Sequence, residues 1–288
     1  MDNKPKALLF MMLGALAFTA MSVLVKLAGP VPVFEKVFFR NLVSMLVALV
    51  VVLKQHRRPL GSWKHQPYLM GRSLSGLVGV IAFFYAIDHL HLVDAEMLNK
   101  ISPFFVMVFA ALFLGEGITT RKIVSLCIAF GGAVLVIKPR FDVTVLPALI
   151  GLSSAMLAGS AYSFLRALKT REKPETVVFH FSFVSVVVMI PLMLPVFVMP
   201  DAATLAVLVG IGVMAALGQF SLTYAYRYAP ASEVSILLYV IVLFSAVAGL
   251  VFFDEIPDIF SVLGGVLIIA AAWITYRVPA GAKSNRGT

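Results

Sequence analysis

Ten apolar runs, each close to 20 residues, follow one another along this chain with only short polar breaks between them. A helix that crosses a bilayer needs about 20 mostly apolar residues, because a rise of about 1.5 Å per residue must cover about 30 Å of hydrocarbon. Hydrocarbon offers no partner to a backbone N–H or C=O, so each run must bond internally as a helix. The spans are expected at 7–28, 33–53, 68–88, 93–114, 120–138, 145–167, 176–198, 203–226, 232–253 and 259–277. The fifth is the tightest: only about 15 uncharged residues separate Lys122 from Lys138, so its charged ends must snorkel. The first run has no small-residue cleavage site after it and reads as a span, not a cleavable signal.

Runs this dense leave no space for a separate soluble domain. The chain is 61% hydrophobic and 13% charged, where soluble domains are about 45–50% apolar and about 25% charged. The expected fold class is all-α, a polytopic membrane protein of ten transmembrane helices. The formal charge of +9 would suggest nucleic acid in a soluble protein. Here the basic residues sit in short loops, where they set topology, and no nucleic-acid partner is expected. Seventeen of the 23 Lys and Arg residues fall on the side of the termini, Arg72 and Arg166 among them. Only Lys36, Lys138 and Arg140 fall on the other side, while Lys26, Arg40 and Lys100 lie inside spans. The asymmetry places both termini in the cytoplasm and the protein in the cytoplasmic (inner) membrane. Trp63 and Trp273 then lie near the inner interface, which suits indole rings.

One offset relates the two halves. At 139 residues Tyr85 falls on Tyr224, Ala86 on Ala225, Phe105 on Phe244, Phe113 on Phe252 and Glu116 on Glu255. At 140, Glu35 falls on Glu175 and Arg40 on His180. Each half holds five spans, an odd number, so the second must enter the membrane the other way up. The result is a 5+5 inverted repeat, an architecture of secondary transporters with the substrate between the halves near the midplane. The expected units are residues 1–140, 141–280 and a polar tail, 281–288, expected to be disordered.

The polar residues inside spans carry the chemistry. The fourth span, around AEMLNKISPFFVMVFAALFL (95–114), holds Glu96 and Lys100 on one helix face, with Pro103 removing a backbone donor from the middle of the run. Buried charge at this depth costs roughly 2.5–3.5 kcal/mol per residue and normally faces a bundle interior or a wet cavity. Arg40 and Lys100 are the candidate binders of an anionic group. Asn99, Tyr85, Tyr162, Gln219, Tyr224, Ser235 and Tyr239 are candidate cavity-shaping groups. Lys26, Glu96 and His180 are candidates for gating or proton coupling. Two bland readings stand beside these: Lys26 snorkels to the surface, and Glu96 pairs with Lys100 or Arg40 as a structural clamp. His180 could equally be a hydrogen-bonded structural group. Glu116 and Glu255 read as parts of a shared turn. Gly71, Ser75 and Gly79 form a small-residue face suited to close helix packing, and Pro191 and Pro195 interrupt the seventh span. Cys127 reads as apolar filler.

No H-E-x-x-H, G-x-S-x-G or Gly-rich loop followed by Lys-Ser/Thr occurs. No enzyme activity, cofactor or metal is expected, and ATP is not expected to drive the protein.

Several stretches resemble the drug/metabolite transporter (DMT) superfamily, and within it the EamA-type ten-helix members. They are Phe38-Phe39-Arg40-Asn41, SPFFVMVFAALFLGEGITTRK (102–122), GGAVLVIKP (131–139) and FSAVAGLVFFDEIPDIFSVLGGVLIIAAA (244–272). The second half departs from the pattern at Val242, where a proline matching Pro103 would stand, and at Asp254 before the glutamate. The resemblance implies a central cavity lined mainly by the first, third, fourth, sixth, eighth and ninth helices. It also implies a carrier of small metabolites, often an exporter of amino acids or related compounds. The expected function is secondary active transport of a small polar metabolite, an amino acid or related organic anion or zwitterion, by alternating access. Protons are a candidate coupling ion, and the carrier could work as a monomer or homodimer. The alternatives are a phosphorylated-metabolite or nucleotide-type exchanger and a membrane receptor or scaffold.

Overall fold

The computed structural model describes residues 4–56, 58–114, 120–138, 145–168, 171–228 and 235–276. Glu116, Arg140 and the polar tail lie outside these residues. The described chain is helical, with no strand among the described residues. The first half comprises α1 (Lys4–Leu27), α2 (Val33–Lys54), α3 (Gln66–His89), α4 (Leu92–Asn99), α5 (Ser102–Leu114) and α6 (Thr120–Ile137). The second comprises α7 (Val145–Leu168), α8 (Pro174–Met193), α9 (Ala202–Tyr228), α10 (Val240–Phe253) and α11 (Ile259–Tyr276). A 3₁₀ turn, Ser235–Tyr239, leads directly into α10. Among the described residues, six helices are long and apolar enough to cross a membrane, and residues 123–137, 237–253 and 259–275 form shorter apolar helices. The helices present bare leucine, isoleucine and valine outward, for example Leu9, Val247, Val251 and Val266, as lipid contact requires. Their charged residues turn inward: Glu35, Lys36, Arg40, Arg72, Asp94, Glu96 and Glu175 are all buried.

The fourth span departs from expectation. It is two helices, α4 and α5, broken at Lys100–Ile101. Pro103 cannot donate to the carbonyl of Asn99, four residues back, and its ring would clash with that carbonyl. The chain therefore ends one helix and begins another. Pro103 sits in the first turn of α5, where its missing N–H costs nothing, and not in the middle of a continuous helix. The ninth span changes from 3₁₀ to α between Tyr239 and Val240, at the equivalent place and without a proline. In the seventh, Pro191 lies inside α8 but Pro195 lies beyond its end, in a 3₁₀ turn.

Packing between the halves is symmetric. α1 runs along α9 as α3 runs along α7, and α2 meets α8 while α6 meets α11. α1 touches α10 as α7 touches α5, and α4 touches α10. Exchanging the halves reproduces these pairings, the pattern that a pseudo-twofold relation gives. The small-residue face of α3 packs on α7: a Cβ at Gly71 would stand 2.6 Å from the Phe164 ring, and one at Gly79 would stand 3.2 Å from Leu157. The α6–α11 contact is as close and is made to backbone, since a Cβ at Gly264 would lie 2.6 Å from the Gly132 carbonyl oxygen.

Candidate functional site

Two polar clusters interrupt the apolar interior. The first lies where the two broken helices meet α1. Glu96 on α4 accepts from Ser22 of α1 at 2.7 Å and from Lys100 at 2.8 Å. The end of α4 frees the Lys100 carbonyl, and the Tyr239 hydroxyl donates to it at 2.9 Å. Neighbouring Asn99 donates to Ser154 of α7 at 3.1 Å. One turn further along α1, Lys26 pairs with Glu255 and donates to the Leu90 carbonyl at 2.6 Å. The other oxygen of Glu255 accepts the Leu92 N–H at 2.7 Å. This places a carboxylate at the N-terminus of α4, where the helix dipole favours it. Glu255 thus ties α1 and α4 to the chain that follows α10.

More ion pairs close the same side of the bundle. Lys36, fully buried, pairs with Asp88 at 2.7 Å and donates to the Gly29 carbonyl at 3.0 Å. Lys138 reaches Asp94 at 3.5 Å and Asp258 at 2.9 Å. Asp258 lies just outside the last helix. Burial works against its ionisation, but the Ser261 amide and Lys138 outweigh it and hold its carboxyl at about 2.

The second cluster lies between α2, α3 and α8. The guanidinium carbon of Arg40 lies 5.2 Å from the centre of the Phe181 ring, and that of Arg72 lies 4.4 Å from it. Arg40 donates to Asn41 at 2.6 Å, but its Nε and that of Arg72 have no hydrogen-bond partner. Neither arginine has a carboxylate within ion-pair distance among the described residues. The effective penalty for burying a charge is several kcal/mol. A cation over an aromatic face recovers about 2 kcal/mol when desolvated, so one phenyl ring does not neutralise two guanidinium groups. Tyr162 of α7 lies within electrostatic reach of both.

His180 flanks this cluster on α8. Gln66 donates to the Leu60 carbonyl at 2.7 Å, which leaves its amide oxygen facing His180 Nε2 at 3.1 Å. Nε2 therefore carries the proton, and Nδ1 accepts from the Ser73 hydroxyl at 2.9 Å. A hydrogen-bonded chain runs from a loop carbonyl through Gln66 and His180 to Ser73, beside Arg72.

Arg40 and Lys100, the two cations singled out together in the sequence, have different partners in the structure. Lys100 joins Glu96 and Tyr239, whereas Arg40 joins Arg72 and Tyr162. Tyr224 donates to buried Glu175 at 2.8 Å and contacts Phe10. Tyr85 stacks on His89 at 4.1 Å. Gln219 is half-buried on α9, and its backbone carbonyl accepts from Thr223. The Ser235 side chain lies outside the described residues. Sequence reasoning missed Arg72, which it assigned to the inner-side loops. The signal was present: Arg72 falls four residues inside the span expected from 68. No group of three or more His, Cys, Asp or Glu suited to a metal occurs among the described residues.

The EamA-like transporter family model matches the chain twice, over residues 5–138 and 145–277. The chain is 36% identical to the pseudopaline exporter CntI of Pseudomonas aeruginosa, over 98% of this chain and 99% of the relative. It is 29% identical to a riboflavin transporter of Rhizobium johnstonii, over 75% of this chain and 70% of the relative. A solved crystal structure shares the fold, with a TM-score of 0.69 at 16% identity, over 95% of this chain and 98% of that one.

Proposed function

This chain belongs to the EamA-like transporter family, in the drug/metabolite transporter superfamily, and on that premise we propose that it carries an anionic or zwitterionic small metabolite across the cytoplasmic membrane by alternating access. The relatives' names are those of transporters, not enzymes, and they span an exporter of pseudopaline and a carrier of riboflavin. The substrate of this chain is an amino acid or related organic anion.

One observation carries the reading. The fourth span breaks at Lys100–Ile101, the ninth changes from 3₁₀ to α at Tyr239–Val240, and the Tyr239 hydroxyl bonds to the Lys100 carbonyl between them. Irregular backbone inside a membrane is tolerated where it is buried in protein or lines a cavity, and carriers place their sites at such breaks. Lys26, Glu255, Lys36, Asp88 and Lys138 supply the closing contacts at the side away from the termini. Opening that side requires breaking these pairs. With the termini cytoplasmic, this is the external gate, and Lys26 and Glu255 are its latch. Glu96 is the candidate coupling carboxylate, because its two oxygens join Ser22 of α1 to Lys100 at the end of α4.

The test is solute uptake by the purified protein in proteoliposomes. Saturable flux of an anionic or zwitterionic metabolite is expected, and it should be lost in Arg40→Ala and in Lys100→Ala while both variants stay folded. Full activity in both would refute their assignment. The carboxylate-free arginines also favour a second reading, an exchanger of phosphorylated metabolites. Strict dependence on a counter-substrate inside the vesicles would select it.

A further inference from the structure

We propose that Arg40 and Arg72 together form a binding site for a dianionic head group, a pair of carboxylates or a phosphate, at the junction of α2, α3 and α8. As a substrate site it rests on the transport reading above. As an anion site it stands on its own, and the two are tested apart.

Both guanidinium groups are buried, with relative exposures of 3% and 6%. Both lie within 5.2 Å of one ring centre, that of Phe181. A helix bundle gains nothing from placing two like charges together without a counter-ion, since each repels the other and neither is solvated. Elsewhere among the described residues, buried Lys36 has Asp88 and half-buried Lys100 has Glu96. The arginines are the exception, and each keeps an unbonded Nε. Arginine is also the suited residue, because its planar fork presents paired donors to carboxylate and phosphate oxygens.

The surroundings hold the site in place. Gly76, one turn beyond Arg72 on α3, leaves the space the guanidinium occupies: a Cβ there would lie 2.2 Å from Arg72 Nη1. The Ser73–His180–Gln66 chain fixes the adjacent polar wall and connects it to the loop at Leu60. A single carboxylate would leave one guanidinium uncompensated. Two negative charges balance the pair.

The full-length protein in detergent is titrated at constant ionic strength with glutarate, inorganic phosphate, acetate and alanine, and its melting temperature is followed. Glutarate or phosphate is expected to raise the melting temperature at concentrations where acetate and alanine do not. A glutarate response assigns paired carboxylates, and a phosphate response assigns a phosphate. Arg72→Gln and Gly76→Ala should each weaken the response about tenfold or more. Arg72→Lys, which keeps the charge and loses the fork, tests the same point if Arg72→Gln does not fold, and should weaken it about threefold to tenfold. Arg171→Gln, at the exposed turn beside Tyr68, should respond like wild type. No dianion response in wild type, or equal responses in wild type and Arg72→Lys, would overturn the site. Dianion binding without saturable flux in proteoliposomes would keep the site and remove the transport reading. Saturable flux without dianion binding would do the reverse.

Discussion

The Tyr239 hydroxyl donates to the Lys100 backbone carbonyl at 2.9 Å across a sequence separation of 139 residues, which is the offset that relates the two halves of the chain. The two residues are therefore each other's counterparts, and they touch. In a pseudo-twofold arrangement only residues beside the axis can contact their own counterparts. On the inverted-repeat reading proposed above, the bond marks where the axis passes, at Lys100 and Tyr239.

Tyr239→Phe removes this bond and keeps the ring. The cost to folding should be modest, about 1 kcal/mol, typical of one hydrogen bond. Flux should fall severalfold, because the α4 terminus loses its tether to the opposite half. Melting curves and initial uptake rates on the same preparation separate the two effects.

Glu255→Gln keeps the shape of the side chain and discharges the latch. The Lys26 ammonium then loses its only carboxylate among the described residues. The closed state on the side away from the termini should lose population. A cysteine placed at Ser22, in a Cys127→Ser background, should be labelled several times faster by an external thiol reagent in this variant. Equal rates would show that the pair does not hold that side closed.

Gly264→Ala tests a helix contact made backbone to backbone. Its methyl would meet a backbone oxygen, that of Gly132, at 2.6 Å, so α6 and α11 must separate. The expected loss is about 1–3 kcal/mol, read as a lower melting temperature. Cys127→Ser, at an exposed site on α6, should leave it unchanged.

Asp258 gives a pH signature. Its carboxyl sits at about 2 when folded, against about 3.9 in an unfolded chain. A depressed folded value means its stabilisation is fully present above about pH 4 and fades as pH falls through 2. Because the side chain is 49% exposed, solvent screening keeps the effect to about 1 kcal/mol or less. Asp258→Asn should melt slightly below wild type at pH 7, and the gap should close as pH approaches 2.

The spans were legible in the sequence because hydrocarbon leaves the backbone no alternative to helix over an apolar run of that length. Charged residues deep in those runs, Arg40, Glu96 and Lys100, also declared themselves, since hydrophobic neighbours make a lone charge conspicuous. What the sequence did not convey was pairing. Arg40 and Lys100 sit at similar depth in the linear reading, yet depth says nothing about which faces of α2 and α4 point toward each other. Arg72 was absorbed into a charge tally, because a basic residue near a span end normally snorkels. Its burial depends on Gly76 and Phe181, on two different helices. In the sequence the fourth span reads as one helix, although Pro103 is the cause of its break, and the change from 3₁₀ to α at Tyr239 has no proline to announce it.

The most direct test bridges the latch. Cysteines replace Lys26 and Glu255 in a Cys127→Ser background, and the reconstituted protein is joined with a short bifunctional thiol reagent that can be cleaved by reductant. If that side must open in every cycle, solute uptake should fall to background on bridging and return when the bridge is reduced. Uptake that continues unchanged in the bridged protein would contradict alternating access through this gate.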